Sequence, residues 1–340
     1  MARYKGAAYQ QDTINELCQQ AEVFLYGPGF TEYDPNDSLA NIQSKAPFDI
    51  ECIVVGHSWL PELVDEPPLL RNCDFRTAEV PLVAILNKEY NNLHNKLQYL
   101  TKNRFNLVFS HHHNSQTFGE AYGLNVVFWP FGFDDKKISN QITEKDIDLA
   151  FSGIIQNRTT GVDQTDSRLR VMNEMFYCVS DLPIRKRSNY SDLEIFWNAI
   201  PLTSKRYQHF VKYRTAKLLF PRYGYRYLEE VKYYELLARS KIVLNTLSPM
   251  ELMGPRLFET MASGAVVLAE ESSVYAQLFP KSCMVQFKSD LTDYLELIES
   301  LIADENLRKK LALEGKTFVS KGHKWSDRVS DMLHKINGLG

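Results

Sequence analysis

Five runs rich in β-branched and aromatic residues punctuate the first 135 residues: 21–26 (AEVFLY), 49–56 (DIECIVVG), 80–86 (VPLVAIL), 105–110 (FNLVFS) and 125–130 (NVVFWP). None alternates cleanly between apolar and polar positions, and each is followed by a loop and a longer, more polar segment of helical character. That pattern fits strands covered on both faces, as in a parallel sheet flanked by helices. The second half repeats the rhythm. DIDLAFSG (146–153) precedes a helix-like segment over 166–179, YLEEVKYYELLARS (227–240) leads into KIVLNTLSP (241–249), and PRLFETMAS (255–263) leads into GAVVLAEE (264–271). After CMVQF (283–287), residues 290–319 carry apolar side chains at spacings of three and four, the mark of amphipathic helices. Between the halves, residues 129–153 turn polar and charged before a new apolar run begins, which marks a boundary. The chain thus reads as α/β, two doubly wound Rossmann-like domains facing each other across a cleft. The predicted divisions are 1–135, 136–322 and a terminal helix over 323–340.

Composition narrows the chemistry. A length of 340 residues suits two domains, and 39 Lys and Arg against 42 Asp and Glu leave a net charge of -3. Nothing global draws the chain to nucleic acid, so any polyanion must be met locally. The five cysteines are scattered without a Cys-x-x-Cys pair, which argues against a disulfide framework and a structural zinc and suits a reducing compartment. No window approaches 18 consecutive apolar residues, and the N-terminus lacks the apolar stretch of a signal peptide. The expectation is a cytoplasmic protein, with peripheral membrane contact left open. Between Leu182 and Tyr234, eleven Lys and Arg stand against four acids, interleaved with tyrosines. A solvated face, contacts to donor phosphates or lipid, and nucleic acid all use such a stretch; no nucleic-acid module accompanies it.

In a parallel sheet the ligand crevice opens beyond the carboxyl ends of the strands. The residues following the first-half runs are Gly27 to Phe30, Gly56 to Trp59, Asn87 to Tyr90, Ser110 to Asn114 and Phe131 to Asp134. Polar groups and rings together suit a hydroxyl-rich acceptor, with Gly29, His57, His112 and His113 as candidate contacts. His111 to His113 lack metal-ligand spacing, so they read as acceptor or phosphate contacts, a general base, or ordinary loop histidines. Asp146-Ile147-Asp148 precedes a strand instead of following one, which favours a solvated edge over a divalent-cation site. No metal and no cofactor are expected.

Residues 250–271, MELMGPRLFETMASGAVVLAEE, place two glutamates eight positions apart around Gly254-Pro255-Arg256. Gly-Pro is a breaker followed by good helix formers, so a helix should start close to Arg256, with Glu251 on the loop before it and Glu259 one turn inside. The helix N-terminus and Arg256 suit an anion, and a carboxylate further along can hold vicinal hydroxyls. The ligand wanting all of these is a nucleotide sugar.

This element resembles the E-x7-E signature of family 4 type glycosyltransferases of the GT-B fold, and the arginine variant PRLFE resembles the spore-maturation CgeB-like branch. WPFGFDD resembles the Pro-x-Gly-x-Asp linker of that fold, and HKWSDRVSDMLHKI its terminal helix returning to the N-terminal domain. The resemblance covers residues from about 125 to 340, and the first 120 at the level of fold. It implies Glu251 as the donor-sugar contact and Glu259 as the ribose contact, with Gly254, Arg256 and Ser248 beside them. It further implies basic residues against the diphosphate after the first strand of the C-terminal domain, where Ser152 and Gly153 precede Arg158, with Arg168 a second candidate. Pro255 lacks the amide that this family uses, and Arg256 could replace it as a charge-assisted donor. The activity implied is transfer of a sugar from a UDP-, GDP- or other nucleotide sugar to a carbohydrate or other hydroxyl acceptor, with retention and without metal. Glu251, Arg158 and His111 are the candidate catalytic residues. A nucleotide-sugar epimerase and a noncatalytic surface or spore-associated sugar-binding protein are the alternatives.

Overall fold

The structure is a computed structural model that describes residues 8–27, 30–56, 72–86, 89, 92–138, 144–153, 182–188, 228–246 and 248–339. Gly29, His57, Arg158, Arg168 and most of the basic stretch over 182–234 lie outside the described residues. The chain forms two compact units, one of residues 1–134, 248–255 and 322–340, the other of residues 135–247 and 256–321.

The first unit holds a parallel sheet of β1 (Ile53–Val55), β2 (Leu82–Ile85), β3 (Leu107–Ser110) and β4 (Val126–Phe128), in that spatial order. The register runs Val54 to Val83, Ala84 to Val108 and Phe109 to Val127. β3 is buried at all four positions, as its unbroken apolar sequence requires. Helices α1 (Ala8–Gln20), α2 (Leu39–Ser44), α3 (Leu93–Lys102) and α4 (Ser115–Tyr122) belong to this unit. The core joins Leu82, Ala84 and Val108 of the sheet to Leu97 and Leu100 of α3. One expected strand does not form. Residues 22–26 of AEVFLY have no ladder partner among the described residues, and their side chains are exposed or half-buried, short of the two-sided cover that an inner strand needs.

In the second unit the order is β6 (Lys186–Ser188), β5 (Ile147–Phe151), β7 (Ser240–Asn245), β8 (Val266–Glu270) and β9 (Met284–Phe287), all parallel. Helix α5 (Glu230–Arg239) leads into β7 and α6 (Pro255–Ala262) into β8; α7 (Tyr294–Ala303) and α8 (Glu305–Val319) follow β9. α6 ends where Gly264 takes a left-handed φ of 67° and its N–H bonds the Met261 carbonyl, which turns the chain into β8. Lys145 fixes this region: its Nζ donates to the carbonyls of Ala238, Ser240 and Ser263 at 3.0, 2.9 and 3.2 Å. Burial holds that ammonium down at about 8.

The last helix, α9 (Trp325–Asn337), packs on α1 in the first unit. Its entry explains WPFGFDD. Trp129 is buried against Trp325 and donates Nε1–H to the Arg328 carbonyl at 3.0 Å, while the Trp325 N–H donates to the Phe133 carbonyl at 2.9 Å. A Cβ on Gly132 would stand 3.1 Å from the His323 carbonyl and the Trp325 ring, so a side chain there would require these neighbours to give by a few tenths of an ångström.

Candidate functional site

The sequence-predicted residues fall into two groups, one in each unit. In the first unit, β3 ends in a polar cluster. Glu89, 1% exposed, accepts from the Ser110 hydroxyl and the His111 N–H, both at 2.9 Å through Oε1. His111 is itself buried: its ring stacks on Phe131 and Trp129, and Nδ1 lies 2.7 Å from the Trp129 carbonyl. Those contacts anchor the turn after β3. His112 accepts the Asn114 N–H on Nδ1 at 3.0 Å, so the proton of the neutral ring sits on Nε2, which donates to the Met250 carbonyl at 2.9 Å. His113 stacks on His112. Burial lowers the pKa of all three rings. The Glu251 charge acts on His112 and His113 in the opposite sense.

The carbonyl that His112 holds belongs to a strained turn. Met250 and Glu251 both take left-handed backbone, with φ of 59° and 56°, and neither is glycine. Such residues cost about 1 kcal/mol or more each and persist only where their surroundings dictate them. Here the Glu251 N–H donates to the Ser248 carbonyl at 2.9 Å, the Ser248 hydroxyl donates to the Leu252 carbonyl at 2.5 Å, and His112 holds the middle. The result is an exposed Glu251 carboxylate on a turn whose shape is set by its neighbours. Gly254 follows; a Cβ there would meet nothing within 4 Å and its φ is not left-handed, so neither packing nor backbone conformation accounts for a glycine.

In the second unit, α6 starts at Pro255 and presents Arg256 and Glu259 on successive turns. The Arg256 guanidinium lies over the Phe151 ring, 5.5 Å from its centroid, at the end of β5. It also covers the Ser152–Gly153 turn: a Cβ on Gly153 would stand 2.8 Å from the Phe151 ring and 3.1 Å from Nη1 of Arg256. Glu259 accepts the Tyr233 hydroxyl at 2.5 Å and the Tyr234 hydroxyl at 3.2 Å, one on each oxygen. Burial first, then the Glu259 charge, pushes the Tyr233 hydroxyl well above its ordinary range, so it remains a donor. Arg256 acts on the same hydroxyl in the opposite sense, which draws Arg256, Glu259 and Tyr233 into one electrostatic group.

Tyr233 and Tyr234 were absent from the sequence-level candidates, and Glu89 stood among them only within the run Asn87 to Tyr90. The sequence carried no signal for the tyrosines beyond their place near the start of a helix that leads into β7. The Asp-x-Asp of residues 146–148 is held in ion pairs, Asp146 with Arg239 and Arg185 and Asp148 with Lys241 at 2.6 Å. Among the described residues no three His, Cys, Asp or Glu gather as metal ligands would, and no helix is long and apolar enough to cross a membrane.

Residues 200–334 match a family described as glycosyl transferase-like. No curated protein sequence matches the chain. Among solved structures, a UDP-forming α,α-trehalose-phosphate synthase from Burkholderia xenovorans superposes with a TM-score of 0.53 at 13% identity, covering 100% of this chain and 80% of that one. The corresponding enzyme from Burkholderia vietnamiensis gives 0.51 at 12% identity, covering 100% and 78%. Sucrose-phosphate synthase from Thermosynechococcus elongatus gives 0.50 at 10% identity, covering 78% and 69%. The fold is that of the GT-B glycosyltransferases, with a Rossmann-like parallel sheet in each unit.

Proposed function

We propose that the chain is a glycosyltransferase that moves a sugar from a nucleoside diphosphate sugar to a hydroxyl acceptor, with retention and without a metal ion. The observation that carries this reading is the group on α6: Glu259, backed by two tyrosine hydroxyls, one turn beyond an arginine seated at the carboxyl end of β5. A carboxylate held at both oxygens is a preorganised acceptor for the vicinal hydroxyls of a ribose. The guanidinium is a charge-assisted donor for the diphosphate, whose negative charge grows as the glycosidic bond breaks. Arg158 and Arg168 are proposed as further diphosphate contacts, with Ser152 and Gly153 leaving room for the phosphates. Glu251, on a turn that Ser248 holds and with Gly254 beside it, is the proposed donor-sugar contact, in the manner of the E-x7-E enzymes and their CgeB-like branch. On the acceptor side we assign His113, together with Gly29 and His57; His112, expected there too, has both ring nitrogens engaged by the Asn114 N–H and the Met250 carbonyl and instead holds the turn. To His111 we give the task of holding the loop, since its ring is enclosed by Phe131 and Trp129.

Binding of a nucleotide to the native state alone must raise its melting temperature. A thermal-shift screen against UDP, GDP, ADP, CMP and dTDP, with and without EDTA, tests the reading; UDP comes first because the trehalose-phosphate synthases of like fold are UDP-forming. The expected result is a rise for one nucleotide that survives EDTA and is lost in Glu259→Ala. A rise abolished by EDTA would overturn the metal-free site, and no rise for any nucleotide would favour a noncatalytic protein. Release of free nucleotide and an altered sugar in the absence of acceptor would instead identify an epimerase.

A further inference from the structure

We propose that Asn245 and Thr246, at the carboxyl end of β7, are donor-binding residues whose side chains hydrogen-bond the phosphate oxygens of the nucleoside diphosphate. The inference rests on the donor site proposed above and extends it to a strand that its motifs do not include. From β5 the chain first adds β6 on one side and then β7 on the other, so the order β6-β5-β7-β8-β9 reverses between β5 and β7. In open α/β sheets the crevice that receives a ligand opens at that reversal, beyond the carboxyl ends of the two strands.

Asn245 is the last residue of β7 and 4% exposed, yet among the described residues its Nδ2 has no hydrogen-bond partner, and the adjacent Thr246 Oγ1 is also buried without one. Buried side-chain polar groups are overwhelmingly paired, because an unpaired one forfeits its hydration. Two in succession at a sheet's reversal point are the mark of groups that a ligand completes. Their chemistry restricts that ligand. An amide nitrogen only donates and a hydroxyl can donate, so an oxygen-rich acceptor is required. Continuing the register of Ala150 with Val243 brings Ser152 level with Asn245. The turn that follows is the one covered by the Arg256 guanidinium. Neutral donors on one strand end and a cation over the next form a phosphate-binding set, not a site for an uncharged hydroxyl group.

The test uses the full chain with Asn245→Leu and Thr246→Val, both close in shape to the native side chains. Melting is followed by circular dichroism and binding by calorimetry, with the nucleotide selected in the thermal screen and with inorganic pyrophosphate. Removing an unpartnered buried polar group should leave the melting temperature unchanged or higher, while affinity falls about tenfold for each variant. Variants that bind the nucleotide as tightly as wild type would overturn the inference and leave the donor site standing. A lowered melting temperature with intact affinity would give the two residues a purely structural role. If Asn245→Leu fails to fold, Thr246→Val decides by the same criteria. Should wild type bind pyrophosphate through these residues but no nucleotide, the inference stands and the nucleotide reading falls; binding of neither removes both.

Discussion

Glu259 takes its meaning from what touches it. A glutamate on a helix surface is common, but one that receives a tyrosine hydroxyl on each oxygen is oriented before any ligand arrives. Tyr233→Phe removes one donor to a charged group, an interaction of about 1.5–3 kcal/mol, and frees the carboxylate to rotate. We expect nucleotide affinity to fall about threefold to tenfold with Glu259 intact, read by calorimetry; unchanged affinity would detach the tyrosine from the site. Gly153→Ala probes the opposite side of the same group. The new methyl would meet the Phe151 ring at 2.8 Å and Nη1 of Arg256 at 3.1 Å, so the buried ring must shift, and with it the guanidinium that lies over it. A cost of about 1–2 kcal/mol in stability, typical of overpacking, should accompany weaker nucleotide binding, measured by denaturant titration and calorimetry on one preparation. The glutamate pair was legible in the sequence because spacing and punctuation survive without coordinates. The two tyrosines and Asn245 were not, because the orientation of a hydroxyl and the lack of a partner for an amide are facts of packing alone.

At the scale of elements, the turn over Pro249–Glu251 combines strain with a candidate sugar contact. Two left-handed non-glycine residues need an outside constraint, and the hydrogen bond from His112 Nε2 to the Met250 carbonyl supplies one. His112→Phe keeps a ring against His113 and Phe118 but loses the donor. Turnover should fall about tenfold, and adding Glu251→Ala should cost little more, because both changes remove the same arrangement. His112→Gln, which can still donate, should recover part of the rate. Full additivity of the two changes would show that the histidine does not act through the turn. Strands show the same contrast between what a sequence encodes and what it hides. β8 is buried at every position and stood out as an apolar run, whereas β6 is Lys-Arg-Ser, a short charged edge whose only strand signal is its neighbour β5. AEVFLY carries strand composition without the burial that would make it one.

Across the whole molecule, acid and nucleotide should act on different units. In the first unit, His323 accepts a hydrogen bond from Nη2 of Arg328 on Nδ1 at 2.5 Å, which requires a neutral ring. Burial, then the Arg328 charge, holds its pKa down at about 4, against 6.5 ordinarily. Arg328 is itself pushed down to about 10 by burial, opposed by Asp331 and Asp327. Between pH 6.5 and about 4 the unfolded chain therefore binds a proton that the folded chain refuses. Stability is intact above that window and is lost as pH falls through it, by on the order of 2 kcal/mol; the lowered pKa values of His111 and His112 act in the same direction. In the second unit the ion pairs of Asp146 behave differently. Hydrogen bonds from Arg239 hold that carboxyl down at about 2, so it stays ionised throughout this window. Hydrogen exchange at pH 7 and pH 5 should accordingly show protection falling in β1 to β4 and α9 while β5, β7 and β8 keep theirs. His323→Gln, which leaves no group to titrate, should flatten the loss in the first unit. A saturating nucleotide should raise protection around α6 and the ends of β5 and β7, by about 2.7 kcal/mol at a hundredfold excess over Kd. Acid loss confined to the second unit, or an undiminished loss in His323→Gln, would refute the assignment of the acid-sensitive group to the junction of His323 with α9.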